Sequence, residues 1–355
     1  MTHHWHQPFL DQLQSDSPDR PTSHAIFQAF LNQLNPDGRC TRPYRIGNVE
    51  SLNPTDTIEL SQLTDTQNPP KTIVLKLNGG LATTLGCQGP KCLVIADPKR
   101  HRSFLDIIIE QNTNCPHTHL WLLNSFYTHP GCVKHLDAHG IPALIQNRWP
   151  CLNTNTQPVT PYHSAASEAD SWAPPGHGDI FSVFHDTGVL DQWLANGYDY
   201  VFISNSDNLA ATWDPRFVCH MREHGLHALV EATPKTEADK KGGGFVRHGG
   251  TITLLERGNI QASDTHTQAL FNALPLFNTN SLWLSIAYLK TLNPIGLTQL
   301  IVNPKKRNET PIIQLESAMG SAIQAFSNVG IIQVPRNRFQ PVKDQADLDR
   351  LHASI

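Results

Sequence analysis

Between Lys76 and Lys91 the chain reads KLNGGLATTLGCQGPK, an apolar run that ends in glycines and small residues and closes on a lysine. Gly79, Gly80, Gly86 and Gly89 let the backbone approach a ligand closely and turn successive N–H groups toward it. Lys91 adds a mobile point charge of the kind that meets a phosphate. The loop has neither the G-K-[ST] of a Walker A motif nor a G-x-G-x-x-G, and its plainer reading is a Gly-rich turn with a surface lysine. Asp207, in SNSDNL, follows an apolar run, where a carboxylate can hold a hard cation such as Mg2+ alongside phosphate oxygens. The same residues are also good turn formers. His177 lies between two glycines in PPGHGD, accessible enough to donate to a phosphate. With 19 histidines in the chain, a single one is informative only through its motif. His3, His4 and His6 are more simply read as part of a frayed terminus than as metal ligands. The seven cysteines are dispersed, odd in number and free of C-x-x-C, which disfavours a disulfide framework or a structural zinc and fits reduced thiols in a cytoplasmic protein.

The elements that must carry these residues follow from the pattern around them. Thr72–Leu77 (TIVLKL), His119–Leu123 (HLWLL), Tyr200–Ser204 (YVFIS), His227–Thr233 (HALVEAT) and Val329–Val334 (VGIIQV) read as buried strands. A helix is expected over Thr187–Asn196, stopped by Gly197, and another over Leu315–Phe326. GFVRHGGTITLLE reads as a hairpin turning at His248–Gly250. Strands separated by helices imply an α/β domain with a largely parallel sheet. The first 70 residues differ, with one amphipathic helix after Ser23 as N-cap, set among Asp-, Pro- and Ser-rich loops. The expected organisation is therefore an N-terminal segment over 1–70, a main domain over 71–300 and a C-terminal segment over 301–355. Acidic residues outnumber basic ones, 31 to 27, for a net charge of −4, so no basic footprint for nucleic acid is present. No apolar run is long enough to span a membrane, and the start lacks the basic and apolar regions of a signal peptide.

The glycine loop resembles the L-N-G-G-L-G-T-x-M-G-x-x-G-P-K signature of eukaryotic-type UTP–glucose-1-phosphate uridylyltransferases. WLLNSF (Trp121–Phe126), PPGHGD (Pro174–Asp179), SNSDNL (Ser204–Leu209), KGGG (Lys241–Gly244), FNTNSLW (Phe277–Trp283), IVNPK (Ile301–Lys305), IQLESAMGSAI (Ile313–Ile323) and VPRNRFQPVK (Val334–Lys343) resemble that family's motifs in its order. The resemblance implies a Rossmann-like α/β nucleotidyltransferase fold with a central mixed sheet. It further implies Mg2+-assisted, in-line transfer of a uridylyl group from UTP to a sugar 1-phosphate, with glucose 1-phosphate the favoured acceptor. Leu77, Gly79, Gly80, Lys91, Gln146, Gly176 and Asn205 are the implied nucleotide contacts. His177, Gly243, Asn280, Glu316 and Lys343 are the implied sugar-phosphate contacts, Glu316 at the opening of the helix expected from Leu315. Lys91 and Lys343 are the implied catalytic charges and Asp207 the metal carboxylate.

Some positions depart from the family pattern. Ala82 stands where the signature has glycine, and strain is expected there if that position needs a positive φ. Leu85 replaces Met, Cys92 replaces Ser, and KKGGGF differs from the usual K-G-G-T-L. The chain stops soon after Lys343, so it reads as a short form without the family's C-terminal β-helix, and the oligomeric state does not carry over. The alternatives are a pyrophosphorylase for other UDP-sugars or UDP-N-acetylhexosamines, and a UDP-sugar-binding homologue without turnover.

Overall fold

The computed structural model describes residues 4–41, 43–64, 67–113, 115–237, 239 and 242–354. His3 and Lys241 of the KGGG motif lie outside them. The chain forms two compact units, each built from three separate stretches. One comprises 1–45, 146–189 and 292–322, the other 46–145, 190–291 and 323–355. This grouping differs from three consecutive segments because strands far apart in sequence pair with one another and decide what packs with what.

The larger unit is built on an eight-stranded sheet in the order Thr57–Glu59, Val329–Gln333, Ala228–Pro234, Leu276–Ser285, Tyr200–Asn205, Thr72–Asn78, Thr118–Asn124, Ala143–Ile145. Every neighbouring pair is parallel except those made by Leu276–Ser285, which runs antiparallel to both its neighbours. All seven residues of Thr72–Asn78 are buried, as a central strand covered on both faces requires. The helices Phe104–Thr113, His129–His139 and Pro215–His224 make the crossovers between parallel strands. Their apolar sides pack with Val74, Leu122, Phe202 and Trp283 in one core, where Phe202 and Trp283 stack at 4.0 Å. The five strand runs read from sequence are all present, and the hairpin forms as Gly243–His248 with Thr251–Glu256. This is the mixed central sheet expected of the nucleotidyltransferase class.

The smaller unit holds a four-stranded sheet in the order Leu300–Arg307, Thr310–Ser317, Leu152–Asn153, Thr160–Pro161. Two helices, Gln7–Asp16 and Pro21–Leu31, belong to it. The sequence pattern assigns no element to the first. The second starts earlier than expected, because Pro21 suits the first turn of a helix. Ser23 is therefore inside the helix and accepts from Trp149 Nε1 at 2.9 Å rather than capping.

Two other expectations are corrected. Thr187–Asn196 is not one helix: Ile180–Thr187 ends at Gly188, whose φ of 65° closes it, and Val189–Ala195 is a second. Leu315–Phe326 is also not a helix. Residues Thr310–Ser317 form a strand paired antiparallel with Leu300–Arg307, and Met319–Ala325 follows as 3₁₀ turns. Ile313, Leu315 and Ser317 are buried in alternation along that strand, the period of two that pairing selects.

Candidate active site

The strand Thr72–Asn78 delivers the glycine loop, and neighbouring side chains fix where it leaves the sheet. Thr128 Oγ1 donates to the Asn78 carbonyl at 2.7 Å and Ser125 Oγ to that of Gly79 at 2.8 Å. The loop then folds back on itself, with Ala82 N donating to Gly89 O (3.0 Å) and Lys91 N to Gly80 O (3.3 Å). Gly86 has a φ of 70°, a conformation that favours glycine. Ala82 has a φ of −85° and carries no such strain. Its buried methyl packs with Leu85, Ala96, Phe104, Val342 and Leu348. Ala82→Gly should therefore leave turnover unchanged and lower stability by about 1 kcal/mol, because glycine adds unfolded-state entropy and removes a buried methyl. Comparing unfolding midpoints and turnover of the two proteins checks this.

The next parallel strand, Tyr200–Asn205, ends beside the loop. Leu77 and Asn205 are register partners, and Ser206 N donates to Leu77 O at 3.0 Å. Two residues on, Asp207 Oδ2 accepts from Lys91 Nζ at 2.8 Å, with both side chains mostly buried. The other carboxylate oxygen, Oδ1, is buried with no hydrogen-bond partner among the described residues. Asn280 Nδ2 donates to Asn205 Oδ1 at 3.2 Å from a backbone with φ of 60°.

Lys343 reaches this region through its backbone. Val342 N donates to Asp207 O at 3.0 Å and Thr84 Oγ1 to Lys343 O at 2.8 Å. Asn208 clamps the same segment, accepting from Gln340 N at 3.0 Å and donating to Arg338 O at 3.2 Å. The Lys343 side chain is exposed and lines a cleft of about 680 Å³ with Phe277, Phe339 and Val342.

Thus the larger unit brings together Leu77, Gly79, Gly80, Lys91, Asn205, Asp207, Asn280 and the backbone of Lys343. Gly243 lies in the hairpin, where a Cβ would meet the Leu255 carbonyl at 2.4 Å, so close strand packing by itself accounts for that glycine.

The remaining predicted residues form a second cluster, in the smaller unit. Gln146 Nε2 donates to Gly176 O at 2.8 Å. Gly176 has a φ of 78°, and a Cβ there would meet the Ser317 carbonyl at 2.5 Å and Glu316 Cβ at 3.4 Å. Only glycine lets the PPGHGD loop lie so close to the strand. Glu316 sits on that strand, not at a helix start, and accepts from Asn303 Nδ2 at 2.7 Å.

Met319 N donates to His177 Nδ1 at 3.1 Å, so the neutral ring carries its proton on Nε2. Burial pulls the His177 pKa down to about 4. The folded state thus favours the neutral ring, and this contribution to stability is complete above the ordinary histidine value near 6.5 and is lost as pH falls toward 4. The ring nitrogens should keep constant 15N shifts between about pH 5.5 and 8.5. A titration centred near 6.5 would contradict this environment.

Sequence reasoning passed over Lys76, Ser125, Thr128, Asn208 and the buried pair Glu231–Arg338. Lys76, Ser125, Asn208 and Arg338 do lie in motifs that the sequence displays, in KLNGG, WLLNSF, SNSDNL and VPRNRFQPVK, but nothing local gives those side chains a task.

A Gly-rich loop at the end of a buried strand, a carboxylate on the neighbouring strand end and a mixed sheet are the features of the α/β nucleotidyltransferase class. Comparison with known proteins narrows this. The family model described as UTP–glucose-1-phosphate uridylyltransferase matches residues 24–353. A probable UTP–glucose-1-phosphate uridylyltransferase of Schizosaccharomyces pombe is 37% identical over 91% of this chain, and that of Pyrus pyrifolia 36% over 83%. The chain spans 67% and 64% of the length of these two relatives. A crystal structure of a UDP-glucose pyrophosphorylase variant from Leishmania major in complex with UDP-glucose superposes with a TM-score of 0.81 at 29% identity. That alignment covers 99% of this chain and 79% of the other. The chain belongs to the UTP–glucose-1-phosphate uridylyltransferase family. No helix among the described residues is long and apolar enough to cross a membrane.

Proposed function

We propose that the protein transfers a uridylyl group from UTP to a sugar 1-phosphate, with glucose 1-phosphate the favoured acceptor, and releases pyrophosphate. The observation that carries this reading is the Lys91–Asp207 pair beside the glycine loop, with Asp207 Oδ1 buried and unpartnered. An orphaned hard oxygen at that place fits Mg2+, which is commonly held by one or two carboxylates and completed by phosphates and water. When bound, Mg2+ would neutralise developing charge on the phosphate oxygens.

The chain's own residues divide the remaining work. In the larger unit, backbone groups of Leu77, Gly79 and Gly80, with Lys91 and Asn205, hold the nucleotide. Asn280 of the same unit faces the sugar phosphate, and Gln146, Gly176, His177 and Glu316 are the ligand-binding residues of the smaller unit. The nucleophile is a phosphate oxygen, already largely ionised because its second pKa is about 6, so no strong general base is needed. It forms a bond to the α-phosphorus as the bond to pyrophosphate breaks, and the Lys343 ammonium screens the charge gathered there. The relaxed backbone of Ala82 removes the main feature that favoured a homologue without turnover. All seven cysteines are free thiols, which supports a cytoplasmic setting.

The test is pyrophosphate release from UTP and Mg2+ against a panel of sugar 1-phosphates. Release should be fastest with glucose 1-phosphate. A higher kcat/KM with N-acetylglucosamine 1-phosphate would reassign the acceptor, and binding of UTP without release from any sugar would defeat the reading.

A further inference from the structure

Lys76 has no task in the reading above, yet it is 1% exposed and lies at the heart of the larger unit. Its Nζ donates to Ser204 Oγ at 2.8 Å and to the Ala211 carbonyl at 2.6 Å. Those two residues are the ends of the segment that carries Asn205, Asp207 and Asn208. Lys76 and Ser204 are register partners in the parallel pair, and the strand of Lys76 runs on into Gly79. One side chain therefore closes the base of the Asp207 loop and ties it to the strand that feeds the glycine loop.

The amine is costly to keep there. Burial, and then the Arg338 charge, pull its pKa down to about 7, while Glu231 and Asp207 act the other way. A methionine would fill the same volume without that cost. Filling space is thus not what calls for lysine at this position; the two polar anchors are.

We propose that Lys76 is a positioning residue for the divalent cation: by gripping both ends of the 204–211 segment it holds the Asp207 carboxylate where the cation enters with the triphosphate. The proposal rests on Asp207 being the metal carboxylate. Residues that orient a metal ligand from behind typically change metal affinity 10–100-fold when replaced. An element that merely stabilises the fold would weaken nucleotide binding with and without metal alike.

The experiment compares binding of Mn2+–UTP, followed by water-proton relaxation, with binding of metal-free UTP, followed by intrinsic fluorescence. In Lys76→Met the Mn2+–UTP complex should bind about tenfold more weakly, while metal-free UTP changes by less than about twofold. A folded Lys76→Met protein that binds Mn2+–UTP as the parent does, or loses both forms equally, overturns the proposal. If Lys76→Met does not fold, as judged by circular dichroism, Ser204→Ala decides. That variant removes one of the two anchors and should weaken Mn2+–UTP binding selectively by about threefold. No selective loss there overturns the proposal as well. Asp207→Asn separates the two layers of the argument. It should lose the metal-dependent part of binding, and if it does not, the Asp207 reading itself has failed. If it does while both other variants behave as the parent, only the role of Lys76 has failed.

Discussion

Lys343→Ala should lower turnover by about 10²- to 10³-fold, the usual effect of removing one preorganised charge donor from a reacting centre. Its unfolding midpoint should stay within about a degree of the parent, because an exposed side chain away from caps and cores contributes little to stability. The structure makes this a clean experiment. What holds residue 343 in place is backbone and neighbours: its N–H donates to Asp347 Oδ2 at 2.8 Å and its carbonyl accepts from Thr84 Oγ1. Val342, one residue earlier, is buried with Ala82 and Leu348 and donates its N–H to the Asp207 carbonyl. Truncating the side chain leaves all of these intact and removes only the ammonium. Lys343→Arg keeps the charge on a larger, planar group and should recover part of the loss. Steady-state rates of pyrophosphate release at saturating UTP and glucose 1-phosphate read the result. A loss below about threefold would mean that this ammonium does not face the charge that develops in transfer, since donors that do are worth far more.

The parts of the site that were legible in the sequence are those whose signal is local. A buried strand that ends in glycines and a lysine announces a phosphate loop wherever it sits, and Asp207 is marked by the strand end just before it. The parts that were not legible depend on partners far away in the chain. Lys76 reads as the one charged residue in a largely apolar strand, and nothing near it says that Ser204 and Ala211 will receive its hydrogen bonds. Asn208 looks like turn chemistry until Arg338 and Gln340 arrive at its amide. The stretch TPIIQLES fits either period over its length, and only the paired strand Leu300–Arg307 makes it extended. Ala82 misled in the opposite direction. A family glycine suggested a left-handed backbone there, whereas the loop makes that turn at Gly86.

The largest stability effect is expected at another residue without a local signal. Glu231 is 1% exposed in a central strand. Its carboxylate accepts from Arg338 Nε at 2.6 Å, Arg338 Nη2 at 3.0 Å and Trp283 Nε1 at 2.9 Å. Arg338 also donates to the Thr212 carbonyl at 2.5 Å and lies over the Phe217 ring. Arg338→Met removes the only cation that Glu231 touches among these partners and leaves a buried carboxylate held by one indole. Breaking a buried pair in this way costs about 3–5 kcal/mol, because the buried carboxylate loses the cation hydrogen-bonded to it. For a unit of this size that lowers the unfolding midpoint by roughly 10 °C. The double variant Glu231→Met, Arg338→Met should regain most of that loss, since replacing both partners by apolar groups of similar volume is often neutral. It should not regain turnover. The Arg338 side chain ties the segment that leads to Lys343 to Glu231 and to the Thr212 carbonyl, so an apolar pair restores packing without restoring that tether. Thermal unfolding and turnover measured on the same two variants separate these effects. A double variant that recovers both would show that the segment is held by packing alone and that the buried ion pair is dispensable for placing Lys343.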